Sequence, residues 1–273
     1  MRVACLQPQI FQDRNECYRE TEYLLKNLLE SNHNCEIVCL PERWVPYFKD
    51  PEKDFQKERG NDYHFVKNLA KKYKMKILSG AIWEKRTNLK KPTITCYYFD
   101  EKGDEIGRQE KIHLYSYEQE QFEPGKVLRI FELTKSTYFA ILICFDMAFF
   151  ETPRLAVESG ADILFSPTQI IADGMSNWSI YLKARALENR VPVVACNTFG
   201  NYLGRKFIGN SKIISFYKGS VSPSKLKIVE GPEGSSGYIF DDIDLKYPKK
   251  LRRIRFREKI EKNRIKVKKV SLK

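Results

Sequence analysis

From Phe139 to Ile143 five apolar residues, FAILI, follow one another without a polar interruption, and the run stops at Cys144 with Asp146 two residues on. Such a run reads as a buried strand. Similar short runs recur in "VACLQ", "EIVCL", "ADILF" and "PVVAC", each separated from the next by residues of helical period. That alternation points to an α/β architecture.

Helices are expected from near Asp13, over Tyr63 to Tyr73, from Thr152 to Ser159 and from Ser176 to Arg190. Asp13 and Glu16 have the spacing of a capping box, and Cys17, Leu24, Leu25 and Leu28 supply an apolar stripe behind them. Further strands are expected in "MKILSGAIW", "VLRIFEL", "KFIGNSKIISFY" and "SGYIFDDIDL". "TITCYYFD" and "IGRQEK" form a hairpin about Gly103 and Asp104. Neither an internal repeat nor a low-complexity linker divides residues 1–245, so one domain is the simpler reading, with 246–273 a basic helix and tail.

Charge sharpens that boundary. Fourteen basic and two acidic residues lie between Lys246 and Lys273, so this segment holds +12 of the formal +13, and residues 1–245 are left at +1. A run of this kind reads first as a solvated tail or helix face, and weak anion binding through "LRRIRF" is the sharper alternative. The body carries no RNA-binding motif, and no nucleic-acid partner is expected.

No apolar run approaches the roughly 20 residues of a membrane helix. Gln7, Pro8 and Gln9 interrupt the first run too early for a secretory signal. Seven scattered cysteines lack a disulfide framework, which fits a reducing compartment and a cytoplasmic location. His33, Cys35 and Cys39 lie close together, but no second ligand cluster follows at a zinc-site spacing, and Cys39 reads as part of a buried strand. Neither metal nor organic cofactor is expected.

Three reactive residues follow strand-like runs: Glu42 after "IVCLP", Lys111 after "IGRQE" and Cys144 after "AILI". In open α/β sheets functional groups collect at the carboxyl ends of strands, so the three can meet at one edge. A cysteine there becomes a nucleophile when a base takes its proton, and an ammonium can hold a developing oxyanion. Alone, a cysteine after an apolar run is more often a buried structural residue.

Four motifs in order go further. "LPERW" around Glu42, "EKIHLYSYEQEQFEPG" from Glu110, "LICFD" around Cys144 and "RALENRVPVVACNTFG" from Arg185 together resemble the nitrilase superfamily of carbon–nitrogen hydrolases, over residues 1–245. The resemblance implies a four-layer αββα sandwich, usually a homodimer or higher homo-oligomer that can use the C-terminal segment. It also implies roles: Glu42 as general base, Lys111 as stabiliser of the tetrahedral intermediate, and Cys144 as nucleophile. Glu118, seven positions after the lysine, would position lysine and substrate, with Glu120 and Glu123 as rivals. The backbone N–H of Phe145 would join the oxyanion site, and Gln169 and Tyr47 would face the substrate.

The same resemblance favours a small linear amide, because Phe145 stands where nitrilases proper carry tryptophan. Carbamoyl amino acids and nitriles are the alternatives. Amidase branches that act on carboxylated substrates place an arginine shortly after the cysteine, where this chain has Met147 and Ala148. Arg154 or Lys183 could replace it. Trp178, Leu182, Arg185 and Asn189 share a helical face that reads as packing with one buried ion pair. "DGMSNW" reads as a loop and helix cap, and its place after a strand also suits a lid.

Overall fold

The structure, a computed structural model, describes residues 1–31, 34–46, 55–219, 221–222, 224–261 and 264–270. The first half of the chain forms β1 (Arg2–Gln7), α1 (Arg14–Ser31), β2 (Cys35–Cys39), β3 (Gln56–Lys57), α2 (Asn61–Tyr73), β4 (Lys76–Lys85), β5 (Thr93–Phe99), β6 (Glu105–Glu110) and the short α3 (Glu118–Gln121). The second half forms β7 (Ile130–Thr134), β8 (Thr137–Ile141), α4 (Glu151–Glu158), β9 (Ile163–Pro167), α5 (Met175–Asn189), β10 (Val193–Cys196), β11 (Phe199–Tyr202), β12 (Arg205–Ile208), β13 (Lys212–Phe216), β14 (Leu226–Glu230), β15 (Gly237–Asp242) and α6 (Lys246–Arg257).

Among the described residues these strands make two large sheets and one hairpin. One sheet runs β15-β1-β2-β4-β5-β6 with β3 beside β4; the other runs β14-β13-β10-β9-β8-β7; β11 and β12 pair with each other. Strand parity decides what each sheet packs against, because successive side chains point to opposite faces. Val3, Cys5, Ile37 and Cys39 meet Phe139, Ile141, Ile163 and Phe165 in a core between the sheets. The alternate residues Ala4, Leu6, Val38 and Leu40 pack under Leu24, Leu25 and Leu28 of α1 and Val66 and Leu69 of α2. On the far side Ala140, Leu142, Leu164 and Val193 pack under Ala156 of α4 and Trp178, Leu182 and Ala186 of α5. The result is the αββα sandwich, and it explains why FAILI has no polar residue: both of its faces are covered.

Local signals held where they were strong. Asp13 Oδ1 accepts the Glu16 N–H at 3.0 Å at the start of α1. The run "KFIGNSKIISFY" is two strands, because Gly209 and Asn210 take left-handed conformations between β12 and β13. A Cβ on Gly209 would lie 2.0 Å from Gln7 Nε2, so only glycine lets β1 approach there. Ala172–Gly174 forms a short 3₁₀ turn ahead of α5, without a side-chain cap.

The basic C-terminal segment is partly docked rather than fully solvated. Leu251 joins the core beneath the second sheet's helices, and buried Arg252 reaches Asp162 at 3.2 Å and the Ala161 carbonyl at 2.5 Å. Among the described residues no helix is long and apolar enough to cross a membrane, and no group of three side chains could hold a metal ion. Cys35 and Cys39 lie buried in β2, while His33 falls outside the described residues.

Candidate active site

Glu42, Lys111 and Cys144 do not sit on strand ends but one to three residues beyond them, where the backbone leaves the sheet. β2 ends at Cys39, and Glu42 is held in a bridge to Ala81 while its N–H donates to the Thr168 carbonyl of the opposite sheet at 3.1 Å. Gly80 makes room for this crossing: a Cβ there would fall 2.0 Å from the Pro41 carbonyl. Lys111 follows β6 directly, its N–H bonded to the Ile94 carbonyl at 2.9 Å.

Cys144 lies three residues past β8, at the start of a 3₁₀ turn spanning Cys144–Ala148. Strand parity would send its side chain outward with Ala140 and Leu142. Its φ of 47° breaks the pleat, and the side chain packs against the core between the sheets instead. A non-glycine residue in this region is uncommon and strained. Arg43, beside Glu42, and Ser116, two residues before Glu118, also have positive φ. Three of the positive-φ positions thus lie where the sheets release their functional groups.

The ammonium of Lys111 is buried between two carboxylates, 3.0 Å from Glu42 Oε1 and 2.9 Å from Glu118. Glu118 also accepts the Tyr115 N–H at 2.8 Å, which fixes its second oxygen. Burial opposes the lysine charge, but Glu42, Cys144 and Glu118 outweigh it, and its pKa stands well above the ordinary value. The Glu118 carboxyl is pushed up by burial, against the pull of Lys111. Burial and the Glu42 charge also push the Cys144 thiol well up; Lys111 and the Gln169 backbone N–H pull the other way. The resting sulfur is therefore a thiol that needs a base.

All these groups open onto one cavity of about 440 Å³. Glu42, Lys111, Glu118, Cys144, Phe145 and Gln169 line it, joined by Tyr115, Tyr117, Trp178, Tyr181 and Phe207. Glu118, rather than Glu120 or Glu123, is the glutamate on Lys111. The Gln169 side chain already donates to the Arg43 carbonyl at 3.3 Å. Gly174 and Asn177 bring the "DGMSNW" segment to the cavity wall, and Tyr47 falls outside the described residues.

Neither expected substitute for the missing arginine lines the cavity. Arg154 donates to the Glu188 carbonyl and lies over the Phe256 ring, and Lys183 is not among the lining residues. Two other guanidinium groups do line it, Arg43 and Arg205. Arg43 lies 3.3 Å from the centroid of the Trp83 ring, and Arg205, brought in by the β11–β12 hairpin, lies 5.7 Å from that of Tyr117. Arg43 was adjacent to a recognised glutamate and could have been suspected; nothing local marked Arg205. Arg185 does not face the cavity but grips its wall, donating to the Met147 and Ala148 carbonyls at 3.1 and 3.0 Å and pairing with Glu188 at 2.8 Å.

A family model for carbon–nitrogen hydrolases matches residues 2–253 of the chain. The chain belongs to the carbon–nitrogen hydrolase family. This hydrolase is 30% identical over 259 residues to the probable nitrilase C965.09 of Schizosaccharomyces pombe, covering 92% of its own length and 91% of the relative's. It is 28% identical to the 2-oxoglutaramate amidase of Bacillus subtilis, over 92% of this chain and 93% of that one. Its fold superposes on Saccharomyces cerevisiae Nit3, a member of branch 10 of the nitrilase superfamily, with a TM-score of 0.80, 26% identity and 93% of each chain covered.

Proposed function

We propose that this carbon–nitrogen hydrolase cleaves a small linear amide through a thioester on Cys144. The observation that carries the reading is the buried Glu42–Lys111–Glu118 cluster opening, with the Cys144 thiol, onto a single cavity.

Glu42, which shares the cavity lining with Cys144, takes the first proton transfer. As Sγ bonds to the amide carbon, its proton passes to Glu42 and the carbonyl electrons move to oxygen. Lys111, kept cationic by its two carboxylates, and the Phe145 N–H stabilise that oxyanion. Collapse breaks the C–N bond, and the leaving nitrogen takes the proton from Glu42. Water then adds to the thioester with Glu42 as base, the C–S bond breaks, and Glu42 returns the proton to sulfur as the acid departs. Glu118 holds Lys111 throughout and needs to be ionised to do so.

One observation favours a carboxylated amide over a neutral one. The cavity's two carboxylates are both engaged by Lys111, whereas Arg205 adds a positive charge to the lining. The relative named for 2-oxoglutaramate supports that choice. A cytoplasmic homodimer completes the proposal: the seven cysteines are free thiols, and α4 and α5, which pack against each other, expose the apolar Leu155 and Ile180 that a second copy would cover.

Ammonia release from neutral amides, ω-amido acids, carbamoyl amino acids and nitriles, with Cys144→Ala in parallel, tests the reading. Release from an amide that disappears in Cys144→Ala supports it. Undiminished release by that variant would overturn it.

A further inference from the structure

The mechanism above uses every carboxylate, ammonium and thiol in the cavity lining, yet a fully buried carboxylate lies just behind it. Asp146 has no solvent exposure and does not line the cavity. Its Oδ1 accepts the backbone N–H of His113 at 2.7 Å and of Ile112 at 3.2 Å, and lies 3.0 Å from His113 Nδ1. Its Oδ2 accepts the N–H of Ile143 at 2.9 Å. Its main chain closes the turn, N–H to the Ile143 carbonyl at 3.0 Å, and its carbonyl accepts Thr152 Oγ1 at 3.1 Å.

The donors come from two sources. Ile112 and His113 immediately follow Lys111, where the chain leaves the first sheet; Ile143 immediately precedes Cys144, where it leaves the second. These N–H groups lie past the ends of their strands, and buried backbone donors must find partners elsewhere. A buried carboxylate in turn is tolerable only when several donors satisfy it. Asp146 meets both needs at once and so ties the lysine segment to the cysteine segment across the gap between sheets. Arg185 grips the other end of the same turn through the Met147 and Ala148 carbonyls, so the left-handed Cys144 is held from both sides.

We infer that Asp146 is a positioning residue that sets the distance and direction of the Cys144 sulfur relative to Lys111 without touching substrate. The inference rests on the amidase reading for its kinetic consequences. Its structural content does not.

Asp146→Asn keeps the shape and one acceptor but puts an N–H donor where only acceptors fit. The test measures kcat and KM per folded molecule, the folded fraction being read from the amplitude of the thermal unfolding transition, together with the iodoacetamide alkylation rate of Cys144 followed by peptide mapping. A displacement of about 1 Å from productive geometry lowers turnover by about 100-fold, so kcat should fall by about that factor while KM moves less than about threefold. The alkylation rate should also shift, and that readout needs no substrate. Arg86→Met, whose damage falls on the Glu84–Glu110 ion cluster and not on the Cys144 turn, should lower Tm without changing either rate. Asp146→Asn with wild-type kcat per folded molecule and wild-type alkylation of Cys144 would overturn the inference. Should Asp146→Asn fail to fold, His113→Ala removes the ring contact to Asp146 and the stack on Phe149, and leaves the backbone bonds. A drop of about tenfold in kcat at constant Tm is then expected, and unchanged kcat and alkylation would overturn it. Absence of amide turnover in the wild type would count against the proposed function, leaving alkylation to judge Asp146.

Discussion

Glu110 and Lys111 are consecutive residues, both buried and both in ionic clusters, yet the two clusters have different uses. Glu110 joins a closed network: Arg86 bonds it at 2.8 Å and Arg129 at 2.7 Å, Arg86 also holds Glu84 and Thr95, and Tyr97 donates to Glu84. Lys111 joins an open one, with carboxylates on either side and its remaining approach facing the cavity and the thiol. A buried charge therefore does not by itself mark a reactive site. What marks it is a buried charge whose partners leave room for one more atom.

The clearest way to break the comparison is to neutralise one member of each cluster. Lys111→Met should lower kcat by about 1,000-fold, as loss of an oxyanion-stabilising group does, measured per folded molecule. Arg86→Met should do the reverse, costing about 3–5 kcal/mol of stability because it takes the cationic partner from the buried Glu84, read by urea denaturation with kcat per folded molecule unchanged. Loss of turnover in folded Arg86→Met would erase the distinction.

Acid sharpens it further. Burial raises the Glu110 carboxyl, but Arg86 and Arg129 outweigh burial and hold it below its ordinary value. The stability it contributes is present above the unfolded-state pKa and is lost as pH falls through the lower folded value. The Glu118 carboxyl is raised instead, so it takes up a proton at a higher pH than Glu110 does and its hold on Lys111 weakens first. On acidification kcat should fall while the fold is still intact, seen by following activity and circular dichroism together; simultaneous loss of both would contradict the two assignments. The smallest effect is expected at the surface. Glu258→Gln removes an exposed partner of Arg255 and should cost no more than about 1 kcal/mol.

What the sequence carried was what is local. Parity and period located the sandwich strands and the main helices, and Glu42, Lys111, Glu118 and Cys144 stood in motifs short enough to read. β14 was not marked, because Leu226–Glu230 is only half-buried and has no clean alternation. Asp146, Arg185 and Arg205 owe their places to contacts across tens of residues, with Ile112, Met147 and Tyr117 respectively, and no spacing rule encodes those. The departure at Ala148 was visible, but the hairpin that brings another arginine to the cavity was not.

The central claim is that the Cys144 sulfur bonds to the substrate's acyl carbon. It is tested most directly by intact-mass measurement after rapid acid quench during turnover of the best amide, followed by peptide mapping. The account predicts an adduct equal to the acyl group on the peptide bearing Cys144, absent in Cys144→Ala. Steady turnover with an unmodified Cys144 peptide, or an adduct on another residue, would contradict it.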